Sequence, residues 1–442
     1  MKAIVNLMNF AGFSLRKFGL NLKRLPARVR RNPSDYKLLA YLAIIGPGII
    51  AANAGNEASG IATYAVAGAK YGYSLMWSFI PMTICLIVAQ EMCVRMGVVT
   101  GQGLADLIRE RFGVRWTVVV MLSLLVANVG VIISEFVGIS QASEIFGISR
   151  YFSVPATAIV IWWLVVKGTP KRVEQVFLLM SLIFLIYIVS AFLSKPDWGQ
   201  VGRGFITPSV SFETGYLFTV MTLIGTTIAP FMQVYVQSAV VEKGMQKEDF
   251  KLVRIDAISG VVFACVISAF IVISTAATLH QSGITEIESA ADAAQALAPV
   301  VGQYAKYLFA VGLFGASMLA MGVLPLTTAY SITEALGFEK GLSHSFREAP
   351  IFLGIFTSLI VIGAVIALVP GIPQIKLLLF TQCINGLLLP VLLISIVLLS
   401  SNREIMGDYC NSFLYKCLAW TIAVVVSMLS LLLIGKTIVD IF

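Results

Sequence analysis

The chain is built of long apolar stretches separated by short polar ones. Apolar segments fall at about 38–64, 73–95, 116–145, 153–168, 173–194, 215–241, 252–279, 302–332, 349–369, 374–399 and 413–439. Most reach roughly 20 residues, the length that an α-helix needs to cross about 30 Å of hydrocarbon. They neither alternate nor stop at the shorter length of a barrel strand. The pattern predicts an all-α polytopic membrane protein with eleven transmembrane helices.

The composition agrees with a protein that has lipid as its solvent. Of 442 residues, 58% are hydrophobic and only 12% are charged, which is too few charges to cover a soluble surface of this size. A basic cytoplasmic tail is expected at 1–37 and a single transmembrane transporter domain at 38–442. The partner that this organisation implies is the lipid bilayer of a plasma membrane, and no obligate protein partner is implied.

The distribution of the net charge of +8 indicates membrane topology rather than a nucleic-acid-binding surface. Nine Lys or Arg residues lie in the tail, which predicts a cytoplasmic N-terminus near anionic lipid. The loop near 281–292, predicted outside, is acidic. An odd number of spans puts the C-terminus outside. The loops predicted to be cytoplasmic carry Arg95, Arg109, Arg111, Lys167, Lys171, Arg172, Lys243, Lys247, Lys251, Arg254, Lys340, Arg347 and Arg403.

Two of the segments differ from the others. The first contains the small and polar run Ala51–Gly60, and the sixth contains Gly225–Pro230, a Gly/Thr-rich approach to a proline that cannot continue the helix ladder. Irregular backbone at membrane depth is tolerated where it lines a cavity or is buried in protein. Breaks in helices 1 and 6 are the arrangement expected of two inverted five-helix repeats around a midplane site. The alternative is that the small residues only let helices pack closely and Pro230 is an ordinary kink.

Glu57, at the centre of the first irregular run, is the strongest candidate for chemistry. A carboxylate near the bilayer centre costs several kcal/mol unless it is paired or hydrated, so it predicts a functional site. The alternative is a carboxylate satisfied by neighbouring helix N-termini. The further candidates for an all-oxygen site around Glu57 are the carbonyl of Ala54, the side chain of Asn56, the carbonyl and hydroxyls at Thr226 and Thr227, and the side chain of Gln382 with Asn385 beside it. Such a site suits a hard cation that keeps part of its water shell, whereas Gln382 and Asn385 could also only bond between helices.

The absence of soft ligands from these segments points in the same direction. The two histidines, His280 and His344, fall at predicted loop ends, and the six cysteines are scattered. No thiol, thioether or imidazole is expected beside Glu57, which favours Mg²⁺ and perhaps Mn²⁺ over softer ions. Met232 is assigned to packing. No catalytic triad, nucleotide-binding loop or cofactor motif is present, so neither an enzyme nor a bound cofactor is predicted, and the ion is the substrate.

Three other carboxylates in the apolar segments carry weaker signals. Glu135 in the third segment belongs either to a proton route or to a pair between helices. Glu91 and Asp256 lie near predicted cytoplasmic ends, where both are expected to be in contact with water.

Several motifs resemble the Nramp family of divalent metal transporters. The resemblance runs from about residue 40 to the C-terminus, and it implies a LeuT-type fold with the ion between helices 1 and 6. It is carried by Gly46-Pro47-Gly48-Ile49-Ile50, Tyr71-Gly72-Tyr73-Ser74-Leu75, Gly97-Val98-Val99-Thr100-Gly101 with Leu104-Ala105, Leu378-Leu379-Phe380-Thr381-Gln382, Leu389-Pro390, and Ser401-Asn402-Arg403-Glu404-Ile405-Met406-Gly407.

The chain departs from the family at the ion ligands. The family's Asp-Pro-Gly-Asn is matched by Glu57-Ala58-Ser59-Gly60, and its Met-Pro-His by Ala229-Pro230-Phe231. A proton-route aspartate is matched by Ile132, while the glutamate that follows is kept as Glu135. This pattern is similar to the Nramp-related magnesium transporters, which are understood to move Mg²⁺ and Mn²⁺ without evident proton coupling. The resemblance thereby adds Gly60 and Ala229 to the candidate ion site, as small positions that enlarge it.

The sequence therefore predicts a secondary-type importer of Mg²⁺ and Mn²⁺ that works by alternating access without proton coupling. An inside-negative potential of about 100 mV favours entry of two charges by about 4.6 kcal/mol, so uncoupled import is thermodynamically reasonable. The alternatives are a proton-coupled Mn²⁺ or Fe²⁺ Nramp transporter and an organic amine or amino-acid symporter of the same fold. For the last, Glu57 would repel a substrate carboxylate.

Overall fold

A computed structural model describes residues 50, 52, 54–167, 185–287, 289–295, 302, 305–338, 348–371 and 373–441. The predicted basic tail, most of the first half of the first apolar segment with Gly46-Pro47-Gly48-Ile49, the start of the fifth segment and His344 lie outside these residues.

The described part of the chain consists of helices and connecting turns. Their bounds are α1 (Ala58–Tyr71), α2 (Phe79–Thr100), α3 (Leu104–Ile145), α4 (Arg150–Lys167), α5 (Leu185–Leu193), α6 (Trp198–Ile206), α7 (Thr214–Thr227), α8 (Pro230–Glu242), α9 (Phe250–Thr275), α10 (Ala290–Ala294), α11 (Ala305–Leu336), α12 (Pro350–Ala367), α13 (Gln374–Ser400), α14 (Arg403–Met406) and α15 (Phe413–Ile441). Short 3₁₀ turns at Met76–Ser78 and Lys247–Asp249 lead into α2 and α9, and α9 continues into a π-turn at Ala276–His280.

Within the described residues, eight helices are long and apolar enough to cross a membrane. They correspond to the second, third and sixth to eleventh apolar segments of the sequence, so the prediction of a polytopic helical membrane protein is confirmed. They are Met76–Thr100, Leu104–Ile145, Thr214–Glu242, Lys247–His280, Ala305–Leu336, Pro350–Ala367, Gln374–Ser400 and Phe413–Asp440.

The helix bounds differ from the apolar segments in two places. The third segment is only the later part of α3, which begins earlier, in a charged stretch, and turns at Gly113, where φ is 74° and ψ is 175°. A positive φ of this kind is open to glycine at little cost. The sixth segment contains two helices, because α7 ends at Thr227 and Pro230 starts α8. Hydropathy alone does not register either interruption, because Gly113 lies in a charged stretch before the third apolar segment and Pro230 lies inside a continuous apolar segment.

Small residues bring the central helices close together. An ideal Cβ at Gly225 of α7 would lie 1.9 Å from the carbonyl oxygen of Gln382 in α13, so only glycine fits there. Gly386 lies in the same contact, where a Cβ would come within 2.5 Å of the carbonyl oxygen of Met221. Between α3 and α1, a Cβ at Gly138 would lie 2.5 Å from the Cβ of Ala58. Close backbone approach of this kind is how helices pack in lipid, and it fixes α1, α3, α7 and α13 around one polar region.

Candidate ion site between the start of α1 and the end of α7

Two non-helical stretches lie side by side where α1 begins and α7 ends. Residues 54–57 are turn and bend, and Ile228 and Ala229 separate α7 from α8. Thr226 Oγ1 lies 3.5 Å from the carbonyl oxygen of Gly55 and donates to it. A Cβ at Gly55 would come within 3.2 Å of the carbonyl oxygen of Thr226. The two stretches therefore meet, and their backbone groups are in part free of helical hydrogen bonds.

Glu57 is fully buried and is held through one of its two oxygens. Oε1 accepts hydrogen bonds from Ser59 Oγ at 3.2 Å and from Gln382 Nε2. Asn385 Nδ2 donates to Gln382 Oε1 at 2.9 Å, which fixes the direction of the Gln382 amide. The second oxygen, Oε2, finds no hydrogen-bond partner among the described residues. One face of the carboxylate is thus anchored, and the other is left for a ligand.

Glu135 of α3 supplies the second carboxylate of this region. Its Oε2 accepts from the backbone N–H of Ala58 at 3.1 Å, and its Oε1 accepts from Ser59 N at 3.4 Å and Ser59 Oγ at 3.2 Å. These are the free N–H groups of the first turn of α1, where a negative charge is favoured. Glu57 and Glu135 share the hydroxyl of Ser59. Of the two sequence alternatives for Glu135, the pair between helices describes its contacts, and the helix N-terminus is satisfied by Glu135 rather than by Glu57.

The other predicted site residues divide into two groups. The space between the two non-helical stretches, 54–57 and 228–229, is called the gap. Gly60 lies at the gap, since a Cβ there would be 2.6 Å from the carbonyl oxygen of Gly55 and 2.8 Å from Thr226 Oγ1. Ala54 and Ala229 are buried beside it in the two non-helical stretches. Asn56 and Thr227 have other partners. Asn56 bonds to α9 through Ala264 O and Ser268 Oγ, and Thr227 Oγ1 lies 3.1 Å from Tyr64 Oη.

Two residues at the gap were not assigned to the site from the sequence. Ser59 bridges both carboxylates, and its position two residues after Glu57 in a small-residue run was the available signal. Met232 is the other, because its methyl carbon fills the space over Gly55, 1.7 Å from where a Cβ would stand. A thioether side chain therefore reaches the gap, contrary to the expectation that none lies near Glu57.

The donors gathered here are oxygen atoms of a carboxylate, hydroxyls, an amide and backbone carbonyls. The described residues contain no group of three or more His, Cys, Asp or Glu side chains that would hold a metal permanently. Oxygen donors with a single or paired carboxylate suit a hard divalent cation that keeps some of its water. Such a set binds reversibly, because the ion is not enclosed by several charged ligands.

Glu91 of α2 is also buried, and the prediction that it is in contact with water is wrong. Arg95 Nη2 lies 3.2 Å from its Oε2, the hydroxyl of Tyr415 donates to the same oxygen at 2.8 Å, and Arg254 Nε lies 3.8 Å from Oε1. Asp256, expected to be wet for the same reason, is buried as well. Partners from α2, α9 and α15 make it possible to bury the Glu91 charge.

Known proteins resemble this chain over nearly its whole length. A family model described as Natural resistance-associated macrophage protein-like (Nramp) matches residues 48–436. The Divalent metal cation transporter MntH of Deinococcus radiodurans is 26% identical over 420 residues, covering 92% of this chain and 93% of that protein. MntH 1 of Pseudomonas aeruginosa is 28% identical, covering 91% of this chain and 93% of its own.

Among solved structures, the Eremococcus coleocola manganese transporter has the same fold. Its crystal structure superposes with a TM-score of 0.75 at 21% identity and covers 93% of this chain and 89% of that one. A nucleobase-cation-symport-1 family transporter superposes with a TM-score of 0.53 at 14% identity, covering 89% of this chain and 92% of its own.

Proposed function

Because this chain belongs to the Nramp family, we propose that it transports divalent metal cations across a membrane. Relatives along its length are named divalent metal cation transporters, and the structural neighbour is named a manganese transporter. The observation that carries the proposal is Glu57 Oε2, a buried carboxylate oxygen with no partner among the described residues. In a membrane interior such an oxygen is costly unless a cation or water meets it.

The proposed ion ligands surround that oxygen. Glu57 supplies the negative charge. Gln382 holds the orientation of the Glu57 carboxylate, because its amide nitrogen donates a hydrogen bond to it. The carbonyl groups at Ala54 and Ala229 and the hydroxyl of Thr226 are the neutral oxygen donors, and Gly60 leaves room for water. In this arrangement the side chains of Asn56 and Thr227 do not bind the ion themselves, since they are bonded to Ser268 and Tyr64.

We assign Mg²⁺ and Mn²⁺ as the transported ions and place the chain beside the Nramp-related magnesium transporters. The support is chemical, because Glu57 and Thr226 offer oxygen atoms, and because small residues at 60 and 229 suit an ion that gives up its water reluctantly. The structural neighbour is named a manganese transporter, which supports Mn²⁺. Met232 would add affinity for softer ions if its sulfur faced the ion, so selectivity against Cd²⁺ is a sharp test of its role.

The proposed mechanism is alternating access of a LeuT-type transporter. Eleven spans in two inverted five-helix repeats would place the two non-helical stretches, at 54–57 and 228–229, as the breaks of helices 1 and 6. The N-terminus would then lie in the cytoplasm and the C-terminus outside a plasma membrane.

Import is proposed to run without proton coupling, driven by the membrane potential. Ile132 stands where the family has a proton-route aspartate, and a neutral side chain carries no proton. A second candidate is proton-coupled Mn²⁺ import, which one observation favours: Glu135 lies beside Glu57 and shares Ser59 with it. A carboxylate pair of this kind can hold a proton while the ion is absent.

The test is uptake by proteoliposomes that contain the purified chain, an Mg²⁺- and Mn²⁺-sensitive dye and, in parallel, a pH dye. Potential-driven entry of both ions without internal acidification is the expected result. Acidification that accompanies Mn²⁺ entry, with no Mg²⁺ entry, would establish the second candidate instead. Competition by simple amines, without entry of either ion, would reject metal transport in favour of an organic amine symporter.

A further inference from the structure

A cleft of about 590 Å³ lies between α1, α7, α13 and α15, and its lining does not include Glu57. Its side walls are formed by Val66, Phe218, Leu387 and Leu433 among others. Phe380 and Ile434 also line it and are exposed on helices that are long and apolar enough to cross a membrane. The cleft therefore opens sideways, toward the region that lipid chains occupy.

The hydroxyl groups in the cleft are turned away from it. Thr63, Thr219, Thr222 and Thr437 each line the cleft and each donates its hydroxyl to the backbone carbonyl four residues earlier, at 2.7 to 2.9 Å. A threonine bonded in this way presents little beyond its methyl group to a neighbour. The walls are consequently apolar along their length, which excludes a polar metabolite and suits a hydrocarbon chain.

Two side chains of opposite charge, Lys70 and Asp440, lie near the start of α7 at one end of the cleft. Lys70, near the end of α1, lines the cleft and forms no ion pair among the described residues; its Nζ lies over the start of α7, 3.7 Å from where a Cβ of Gly215 would stand. Asp440, near the end of α15, accepts a hydrogen bond from Thr214, which also lines the cleft. The Lys70 ammonium, which lies 5.4 Å from the centroid of the Tyr71 ring, and the Asp440 carboxylate are complementary to a group that carries both signs.

The cleft is slightly shorter than the hydrocarbon of one membrane leaflet is thick. Along α7 its lining runs from Thr214 to Thr222, which is about 12 Å at 1.5 Å per residue. One leaflet of hydrocarbon is about 15 Å thick. The charged rim lies where α1 and α15 end and α7 begins, which is the level of the lipid head groups.

We propose that this cleft binds one phospholipid with a primary ammonium head group, phosphatidylethanolamine. An acyl chain occupies the cleft, the phosphate pairs with Lys70, and the ammonium pairs with Asp440. The inner end of the cleft reaches Cys383, the residue after Gln382, and Thr222, one turn before the Gly225 contact. A chain held there lies against both helices of the contact that the ion site depends on.

The test is native mass spectrometry of the full chain released from nanodiscs that contain equal amounts of phosphatidylethanolamine, phosphatidylglycerol and phosphatidylcholine. One phosphatidylethanolamine molecule should be retained in preference to the other two. Lys70→Gln should reduce that retention by about tenfold, the loss expected for one charge-assisted contact. The matched control is Lys436→Gln, which removes an exposed lysine from α15 that does not line the cleft.

A second pair of variants tests the apolar part independently of charge. Ile434→Trp fills the open side of the cleft and should also remove the bound lipid, whereas Val425→Trp, on an exposed position of the same helix outside the cleft, should not. Monodisperse elution of each variant shows that it is folded. Equal retention of the three lipids, a preference for phosphatidylglycerol, or identical behaviour of Lys70→Gln and Lys436→Gln would each overturn the proposal.

Discussion

Glu91 and Glu57 are both carboxylates buried among apolar helices, yet their surroundings differ in kind. Glu91 is met by two arginines and a tyrosine hydroxyl, and both of its oxygens are occupied. Glu57 is met by neutral donors on one oxygen only, and its nearest charged neighbour is another carboxylate, Glu135. No Lys, Arg or His forms an ion pair with Glu57 or Glu135 among the described residues.

On the proposed function, the difference separates a structural role, at Glu91, from an ion-binding role, at Glu57. A buried charge with a complete set of partners holds helices together, as Glu91 does for α2, α9 and α15. A buried carboxylate that lacks a counter-charge is stable only if a bound cation, a water molecule or a proton compensates its charge. The same residue type at the same burial therefore predicts opposite consequences for substitution: loss of transport at Glu57 and loss of stability at Glu91.

The largest effect is expected from Glu57→Gln. The amide keeps the size and one acceptor of the side chain but removes the charge that holds a divalent cation, so Mg²⁺ and Mn²⁺ uptake should fall to the level of empty liposomes. Thermal unfolding should be unchanged or shifted upward, because a charge without a counter-charge is removed. Initial uptake rates together with the melting temperature in detergent measure both. Normal uptake by this variant would show that Glu57 is not a ligand.

Glu91→Ala should have the reverse signature. Removing the carboxylate takes the ion-pair partner from buried Arg95, which keeps only neutral acceptors at Tyr409 O and Asn411 Oδ1 among the described residues. The cost should be about 3 kcal/mol, the low end for breaking a buried pair. The melting temperature should drop clearly, while uptake per folded molecule stays near that of the unaltered chain. Arg111→Ala serves as the control, because its ion pair with Glu404 is exposed and is expected to contribute about 0–1 kcal/mol. A Glu91→Ala protein that is stable but does not transport ions would contradict the difference in role between Glu91 and Glu57.

Glu135→Gln should give the smallest change of the three. Glutamine can accept only through its single oxygen, so α1 loses part of the bonding at its first turn, worth about 1 kcal/mol. Transport of the ion should fall by no more than about tenfold, because the ligand oxygen of Glu57 remains. The pH dye discriminates between the two candidate functions: loss of a proton signal that the unaltered chain shows would assign Glu135 to proton coupling.

The sequence was sufficient for the eight membrane-length helices of the described residues. The apolar lengths predicted eight spans that the structure describes, and Gly225–Pro230 contains the end of α7 and the start of α8. Glu57 and Gln382 were both selected as site residues, and the structure bonds them to each other. The spans could be predicted because apolar length is a chain-local signal, and Glu57 was selected because it is a charge among apolar residues.

The direction in which a side chain points could not be predicted from the sequence. Asn56 stands next to Glu57 in the sequence, but its amide turns to α9, because neighbouring residues in a non-helical stretch face different helices. Glu91 was expected to be wet from its distance to a loop, although Arg95 four residues later was a visible signal of an ion pair on one helix face. Arg254 and Tyr415 come from distant parts of the chain, and no local pattern reports them.

The bond between Glu135 and the first turn of α1 gives the molecule an internal reporter. The amide hydrogens of Ala58 and Ser59 are held by a carboxylate on α3, inside a region with no exposed surface. They can exchange for deuterium only when α1 separates from α3 and water enters. The deuteration rate of this peptide, with and without ion, therefore measures how often the gap opens, and an occluding ion should slow it.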